Sequence, residues 1–238
     1  MKKKINISKE YERLLKKFPK KRITLSDEYL KVYTEHYIAN RGGVGLTNSL
    51  GQKMESWLHK KASNKIGYDI LELGAGNLNH VKYERSFINY DIIEPFKDLY
   101  QNSADIKKIR NIFSSTSDVN HKYDKIISIA TLEHLTNLPN EIELCKNLLK
   151  PNGIFQIGVP CEGEFAFKFA SFLTSGLSFK LKYNLDYKKI MQHEHINSLD
   201  EIMTIVEHNF KIINFCRSPF ILPIKNLSFY SYIECKLY

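Results

Sequence analysis

The chain has 238 residues, which fits one substantial domain or one domain with helical additions and makes two complete enzymatic domains cramped. Hydrophobic residues make up 43% and charged residues 26%, so we expect a soluble globular protein rather than a disordered or fibrous one. The net charge of +9, partly concentrated near the N-terminus, is compatible with phosphate-bearing substrates, anionic lipid or RNA, and equally with a solvated surface that only aids solubility.

The start of the chain does not read as an export signal, because charge returns at Lys9 and Glu10 before a long apolar run develops. No stretch approaches the roughly 18 apolar residues of a membrane span. The four cysteines lack a C-x-x-C spacing, which indicates reduced thiols rather than a zinc site or a disulfide framework. We therefore expect a cytoplasmic protein without a transmembrane segment.

Residues 1–66 are predicted to be an N-terminal helical extension, with helical spacing of apolar residues at 11–18, 29–37 and 50–62. From residue 67 onward, short β-branched and aromatic runs predict strands at 68–73, 87–90, 125–130 and 153–159. Ser198 and Glu201 form a capping-box pattern before a helix, and strands at 211–215 and 229–237 follow. Repeated β-α-β units indicate an α/β, Rossmann-like, doubly wound and mostly parallel sheet with an antiparallel last strand.

Two glycines, Gly74 and Gly76, directly follow the first of these strands, where a backbone without Cβ atoms can turn sharply and let a ligand approach. Asn79 stands where a nicotinamide-binding fingerprint would have its third glycine, which disfavours a dehydrogenase. Asp91 follows about twenty residues after Glu72, where an acid at the carboxyl edge of a parallel sheet can accept hydrogen bonds from a ribose diol.

These features occur in an order that is typical of one protein family. Residues 71–76, Asp91, the pair Asp105 and Ile106, the run 124–135 and the segment 148–155 together resemble the motifs of class I S-adenosylmethionine (SAM)-dependent methyltransferases. The similarity is to one branch of this family, methyltransferase type 11, which is related to ubiquinone and small-molecule methyltransferases. It departs at Leu78, where the family often has a third glycine, and in the short spacing between Asp91 and Asp105, which predicts an abbreviated crossover.

The resemblance implies a seven-stranded sheet, SAM as the methyl donor and a methyltransferase domain at 67–238. It also implies a set of cofactor-binding residues around the first loop and the following strand ends. They are Glu72, Gly74, Ala75, Gly76, Asn77, Asp91, Ile92, Asp105, Ile106 and Ala130.

Three histidines are candidates for the general base that a hydroxyl acceptor would need: His134, His193 and His195. Each also has a structural alternative, in which the imidazole only bonds the backbone near the cofactor. Some ubiquinone-type relatives bind a divalent ion through E-x-x-E-H, but Ala130 replaces the first acid here, so no metal is expected.

The acceptor is expected to be a small molecule, phosphate-bearing or lipid-linked, and a lid at 164–197 is predicted on the acceptor side. Aromatic residues alternate with Lys168, Lys180 and Lys182 there, although the segment also reads as a helical hairpin that covers the sheet. The first choice is O-methylation of a sugar in surface polysaccharide biosynthesis, with a quinone precursor as an alternative. RNA is disfavoured because an N-P-P-Y-type segment is missing; a noncatalytic donor-binding or membrane-surface protein is the rival from another class.

Overall fold

The computed structural model describes residues 2–41, 49–161, 177–218 and 228–238. Within them the strands, in chain order, are β1 (Asp69–Leu73), β2 (Asn89–Ile93), β3 (Asn111–Phe113), β4 (Tyr123–Ile129), β5 (Leu149–Pro160), β6 (Lys211–Ser218) and β7 (Tyr230–Lys236). The α-helices are Lys2–Leu15, Asp27–Arg41, Ser49–Ala62, Lys97–Tyr100, Leu138–Leu148, Leu177–Tyr183, Tyr187–Glu194 and Leu199–Asn209. Single 3-10 turns occur at Val81–Tyr83, Ala104–Lys108, Thr116–Asp118 and Leu132–His134.

The described strands form one seven-stranded sheet in the order β3-β2-β1-β4-β5-β7-β6. Strands β1 to β5 pair in parallel, and β7 pairs antiparallel with both β5 and β6. The predicted fold class, including the antiparallel last strand, is confirmed. The strand order reverses between β1 and β4, which is the switch point where open α/β sheets bind ligands at their carboxyl edge.

The second strand begins later than predicted. It covers Asn89–Ile93 rather than 87–90, and Asn89 pairs with Asp69 in the parallel register with β1. Ile88 lies outside the strand and is 73% exposed, so its β-branched side chain was a poor guide to burial. The shift places Asp91 in the middle of β2 instead of at its end.

The crossover after β2 is abbreviated, as the sequence predicted. It consists of the four-residue helix Lys97–Tyr100 and the turn Ala104–Lys108, and it leads into a strand of only three residues, β3. No strand was predicted at β3, because Asn111–Phe113 is too short for a periodic pattern and its side chains are mostly exposed.

The helix Lys2–Leu15 packs on the helix Leu199–Asn209, and the helix Ser49–Ala62 packs on β5 and β7. Leu14 of the helix Lys2–Leu15 is part of the main apolar core, and the ring of Tyr11 stacks on His208 of the helix Leu199–Asn209 with centroids 3.7 Å apart. The capping box predicted at the start of the helix Leu199–Asn209 is present, with reciprocal bonds between Ser198 and Glu201. The division of the chain at residue 66 stays a prediction.

The predicted lid is described only from residue 177 onward; its earlier part, including Lys168, lies outside the described residues. Of the described aromatic residues, Phe179 is buried and packs with Tyr183, Tyr187 and Tyr29 in a small separate core. Those rings hold the helix Leu177–Tyr183 against the helix Asp27–Arg41. The lid at 164–197 stays a prediction.

Candidate functional site

A cleft of about 480 Å³ lies along the carboxyl ends of four neighbouring strands. Its walls come from the residues that end or follow β1, β2, β3 and β4, and its rim from the N-terminal region and the end of the helix Tyr187–Glu194. The lining residues include Gly74, Glu94, Ser115, Thr116, Ala130 and Thr131 on the walls, and Arg22, Tyr33, His134 and Glu194 on the rim. The cleft therefore straddles the switch point between β1 and β4.

The first wall is the glycine loop after β1. Gly74 and Gly76 both have left-handed backbone conformations, with φ of 71° and 53°. A Cβ atom on Gly74 would lie 2.3 Å from Oγ1 of Thr131, whereas nothing lies within 4 Å of the position for a Cβ on Gly76. The backbone at Gly74 is thus pressed against the residue that follows β4, Thr131, whereas the space beside Gly76 is open.

The other residues of this loop have different surroundings. Ala75 is buried in the core, and Asn77 is half-buried. Leu78, which stands where the family often has glycine, takes the left-handed conformation itself, with φ of 65°, and its side chain is 1% exposed. Because a leucine is strained at positive φ, we infer that burial of its side chain holds the loop in this shape.

Glu94 is the acidic residue that the structure places at the carboxyl end of β2. Its Oε2 accepts a hydrogen bond from the backbone N–H of Gly76 at 2.9 Å, and its Oε1 accepts one from the N–H of Phe96 at 3.0 Å. The carboxylate therefore links the end of β2 to the glycine loop on the cleft wall. The sequence carries a signal for this position, because Pro95 cannot continue a central strand and marks Glu94 as its end.

Asp91 is turned away from the cleft into a polar cluster inside the sheet. Its carboxylate accepts hydrogen bonds from the guanidinium of Arg110, from the hydroxyl of Tyr123 at 2.7 Å and from the backbone and side chain of Asn111. Burial opposes ionisation, but the bonds from Arg110 and Tyr123 outweigh it and hold the pKa of Asp91 below its ordinary value. The placement differs from the ribose-binding role that we expected, because Asp91 lies two residues before the last residue of β2, Ile93. Its neighbour Ile92 is fully buried in the core.

Asp105 and Ile106 also lie away from the cleft walls. They belong to the turn Ala104–Lys108, which precedes β3, and Asp105 forms an ion pair with Lys108 at 2.7 Å. Ile106 packs against a second apolar cluster, which includes Leu58, Ile70 and Tyr90. The residues that do line the cleft from this part of the chain follow β3 and include Ser115 and Thr116. The sequence missed them because it missed β3.

Glu72 lies in β1 with 3% exposure and accepts a hydrogen bond from the hydroxyl of Tyr90 at 2.7 Å. Burial raises its pKa to about 8, with a further contribution from the neighbouring acids Glu84 and Glu94. Near neutral pH this carboxyl group is mainly protonated. Glu72 is not among the described residues that line the cleft.

This shift makes stability depend on pH. Between the unfolded value of 4.5 and the folded value of about 8, the unfolded chain releases the Glu72 proton and the folded chain keeps it, so stability falls as the pH rises through this window. Each unit of pKa difference corresponds to about 1.4 kcal/mol. We expect Glu72→Gln, which retains an acceptor for Tyr90, to be more stable than the wild type at about pH 8 and similar to it at about pH 4.5. Urea unfolding at both pH values measures this; an advantage that does not grow with pH would contradict the assignment.

His134 ends the turn Leu132–His134 after β4, and it lines the cleft. Its Nδ1 lies 3.0 Å from the backbone carbonyl oxygen of Glu194, and its Nε2 lies 3.7 Å from Oε1 of Glu133. A carbonyl oxygen only accepts hydrogen bonds, so Nδ1 must carry a proton. In the neutral imidazole, Nε2 is therefore the nitrogen that can accept one.

The other two histidines differ in placement. The ring of His195 lies 4.6 Å from that of His134, centroid to centroid, whereas His193 turns toward the N-terminal segment, where its Nδ1 donates to the carbonyl oxygen of Ile23 at 2.7 Å. The structure brings together Glu133, His134 and His195, whose potential ligand atoms all lie within 4.8 Å of one another. Ala130, in the position of the first family acid, supplies no ligand. The expectation of no metal stays a prediction.

The fold of this chain is shared by solved structures of other proteins, although its sequence has no match among known families. The sequence matches no protein-family model and no curated protein. The fold is similar to a SAM-dependent methyltransferase from Clostridium acetobutylicum, with a TM-score of 0.55 and 14% identity, covering 88% of this chain and 98% of that one. It is also similar to the N-methyltransferase NodS from Bradyrhizobium japonicum in complex with S-adenosylhomocysteine (SAH), with a TM-score of 0.59, 12% identity, and coverage of 89% and 99%. The chain has the class I methyltransferase fold.

A third structure with this fold, the plantazolicin methyltransferase BamL in complex with SAH and a desmethyl plantazolicin analogue, has a TM-score of 0.55 and 12% identity, with coverage of 87% and 90%. Because these structures are covered almost completely, the chain contains nearly the whole class I methyltransferase fold that they share. None of the helices in the described residues is long and apolar enough to cross a membrane.

Proposed function

We propose that the chain is a SAM-dependent methyltransferase that acts on a small molecule. The observation that carries this proposal is the bond between Glu94 and Gly76, which joins an acidic residue and an open glycine loop on one wall of the cleft. A carboxylate beside a glycine loop at the switch point is suited to a ligand that has both a ribose and an extended polar chain. Two proteins with the same fold have been solved in complex with SAH, which supports the proposal that this chain binds SAM.

The residues present fit the donor. The open face of Gly76 and the tight turn at Gly74 leave room for the methionine portion, and Ala130 and Thr131 close the loop from the β4 side. The Glu94 carboxylate can accept hydrogen bonds from the ribose diol while its backbone bonds hold it in place. Ser115 and Thr116 offer hydroxyls and backbone groups to the adenine. When bound, SAM supplies an electrophilic methyl group on its sulfonium.

The role of Glu94 gives a direct prediction. Glu94→Gln retains the size of the side chain but removes the charge that strengthens bonds to ribose hydroxyls, which are worth about 1.5–3 kcal/mol each. We expect calorimetry to show SAM and SAH binding about 10- to 100-fold weaker than in the wild type. The matched control is Asp98→Asn, an exposed acid four residues further on, in the helix Lys97–Tyr100, which accepts a hydrogen bond from Gln101. Equal affinity in the Glu94 variant and the wild type would contradict the role.

His134 is the proposed general base. Its Nδ1 is held by the carbonyl of Glu194, so Nε2 can take the proton of an acceptor hydroxyl as the acceptor oxygen attacks the methyl carbon and the carbon–sulfur bond breaks. The resulting imidazolium would lie beside the buried carboxylate of Glu133, 3.7 Å away, which favours its charge. No covalent intermediate on the protein is needed, because positioning supplies much of the rate.

For the acceptor we propose a sugar hydroxyl, in a phosphate-bearing or lipid-linked precursor of surface polysaccharide, in the cytoplasm. Tyr33 on the rim supplies an aromatic surface for a sugar ring, and Arg22 contributes positive charge there. The lid at 164–197 is proposed to complete the acceptor side. The noncatalytic alternative shares the donor pocket and predicts binding without turnover.

The experiment that tests this function is a turnover assay with methyl-labelled SAM and four groups of acceptors: sugar nucleotides, lipid-linked saccharides, quinone precursors and RNA. We expect SAH to form with the sugar acceptors. Turnover confined to quinone precursors or RNA would replace the acceptor while leaving the reaction in place. Donor binding without turnover on any acceptor would favour the noncatalytic reading.

A further inference from the structure

We propose that Arg22, in the N-terminal segment, is a positioning residue that holds His134 in the tautomer required of a base. The proposal rests on the proposed function of His134. It arises from a set of hydrogen bonds that joins three distant parts of the chain at the rim of the cleft, and each partner of Arg22 in that set is a backbone carbonyl.

The guanidinium of Arg22 spans two loops. Its Nη1 donates to the carbonyl oxygens of His193 at 2.8 Å and Glu194 at 3.2 Å, and its Nη2 donates to the carbonyl oxygen of His134 at 2.8 Å. These partners lie 112 to 172 residues away in sequence. The loop after β4 and the end of the helix Tyr187–Glu194 are therefore held side by side by one charged group.

The carbonyl oxygen of Glu194 connects this contact to the imidazole. It accepts from Nη1 of Arg22 and also from Nδ1 of His134, at 3.0 Å. Arg22 thereby fixes the acceptor that keeps the proton on Nδ1, and it fixes the backbone of His134 at the same time. If that carbonyl moved away, Nδ1 would lose its acceptor, and the proton could pass to Nε2, which would then be unable to act as a base.

The neighbouring residues of the segment reinforce the same two loops. The backbone N–H of Lys20 donates to the carbonyl oxygen of Thr136 at 2.8 Å, and its Nζ donates to that of Ile196 at 2.7 Å. His193 donates from Nδ1 to the carbonyl of Ile23. Residues 20–23 thus form a strap across the cleft rim, with Arg22 as the member that contacts the backbone of the proposed base.

Arginine is specifically suited to this task. Its planar fork presents several N–H groups at fixed angles and reaches three carbonyls at once, whereas a lysine ammonium is a single point donor. Arg22→Lys should therefore keep the positive charge but hold the two loops less well. Arg22→Gln removes both the charge and the fork.

The test compares the wild type, Arg22→Lys, Arg22→Gln and a control, Lys21→Gln, which removes an exposed positive charge one residue away. Nitrogen-15 NMR of the histidine side chains reports the tautomer of His134, assigned by its loss in His134→Gln. We expect the Nδ1–H form in the wild type and the control, and a mixture with the Nε2–H form in Arg22→Gln, with Arg22→Lys between them. We expect kcat of Arg22→Gln to fall by about 10- to 100-fold at an unchanged KM for SAM.

A wild-type-like tautomer and kcat in Arg22→Gln would overturn the proposal, as would a loss confined to SAM affinity. If Arg22→Gln does not fold, as judged by circular dichroism, the same comparison is made on Arg22→Lys, and a tautomer unchanged from the wild type overturns it. Titration of the wild type with SAH separates the two ideas, since absent SAH binding would remove the methyltransferase function while the tautomer spectrum still reports on Arg22.

Discussion

Replacing His134 by glutamine is expected to lower kcat by about 100- to 10,000-fold, the usual contribution of a positioned general base. Glutamine retains hydrogen-bonding groups and similar bulk but cannot accept a proton near neutral pH. Because His134 is not among the residues proposed to hold the donor, the affinity for SAM should stay unchanged. Single-turnover kinetics with a reactive acceptor, together with calorimetry, measure the two quantities separately.

The matched control is His121→Gln. His121 is an exposed histidine in the loop that leads into β4, at the opposite edge of the sheet from the cleft, and its ring lies edge-on to Tyr123 at 5.4 Å. We expect this variant to keep full kcat. Full turnover in His134→Gln as well would show that the acceptor loses its proton without help from this imidazole.

Asp91→Ala is expected to lower the free energy of unfolding by about 1–3 kcal/mol, because it leaves the buried hydroxyl of Tyr123 without its acceptor, whereas the partly exposed Arg110 can bond water instead. Asp91 is fully buried, and it is the acceptor for Arg110, Asn111 and the hydroxyl of Tyr123, which join β2, β3 and β4. The folded variant should still bind SAH, since Asp91 faces the interior of the sheet. Urea unfolding and SAH titration measure the two effects.

Glu94→Gln should behave in the opposite way, with weaker SAH binding and a smaller loss of stability. The two acids lie three residues apart, Asp91 within β2 and Glu94 directly after it, and make a strict comparison. If Asp91→Ala weakened SAH binding strongly at temperatures where it remains folded, and Glu94→Gln did not, the ribose role would return to Asp91.

The sequence predicted the fold well because it contains strong local signals. The buried runs of β1, β4 and β5 and the capping box at Ser198 each follow from periodicity and capping chemistry. The glycine loop was visible as well, since Gly74 and Gly76 directly follow a strand. These features depend on neighbours in the sequence, and all of them are present in the structure.

The site was harder to predict, for two physical reasons. An error of three residues at the end of β2 exchanged a structural acid, Asp91, for the acid at the cleft, Glu94, because in a parallel sheet only the residues at a strand end reach the edge. Strand β3, with three mostly exposed residues, carried no periodic signal, so Ser115 and Thr116 were not identified. Pro95 would have corrected the first error; nothing local would have corrected the second.

The contacts of Arg22 could not have been read from the sequence at all. They connect residues more than 110 positions apart through backbone carbonyls, which every residue has and no side-chain pattern marks. The sequence indicated only that positive charge is concentrated near the N-terminus. The structure shows that one of its charges is bound at the rim of the cleft.

The central claim is that the donor binds across the carboxyl ends of β1, β2 and β4. A crystal structure of the protein grown with SAH tests it most directly. We predict that the ribose hydroxyls lie within hydrogen-bonding distance of the Glu94 carboxylate and that the homocysteine chain runs over the open face of Gly76. Density for SAH elsewhere on the protein, or a cleft filled by side chains at saturating SAH, would contradict the account.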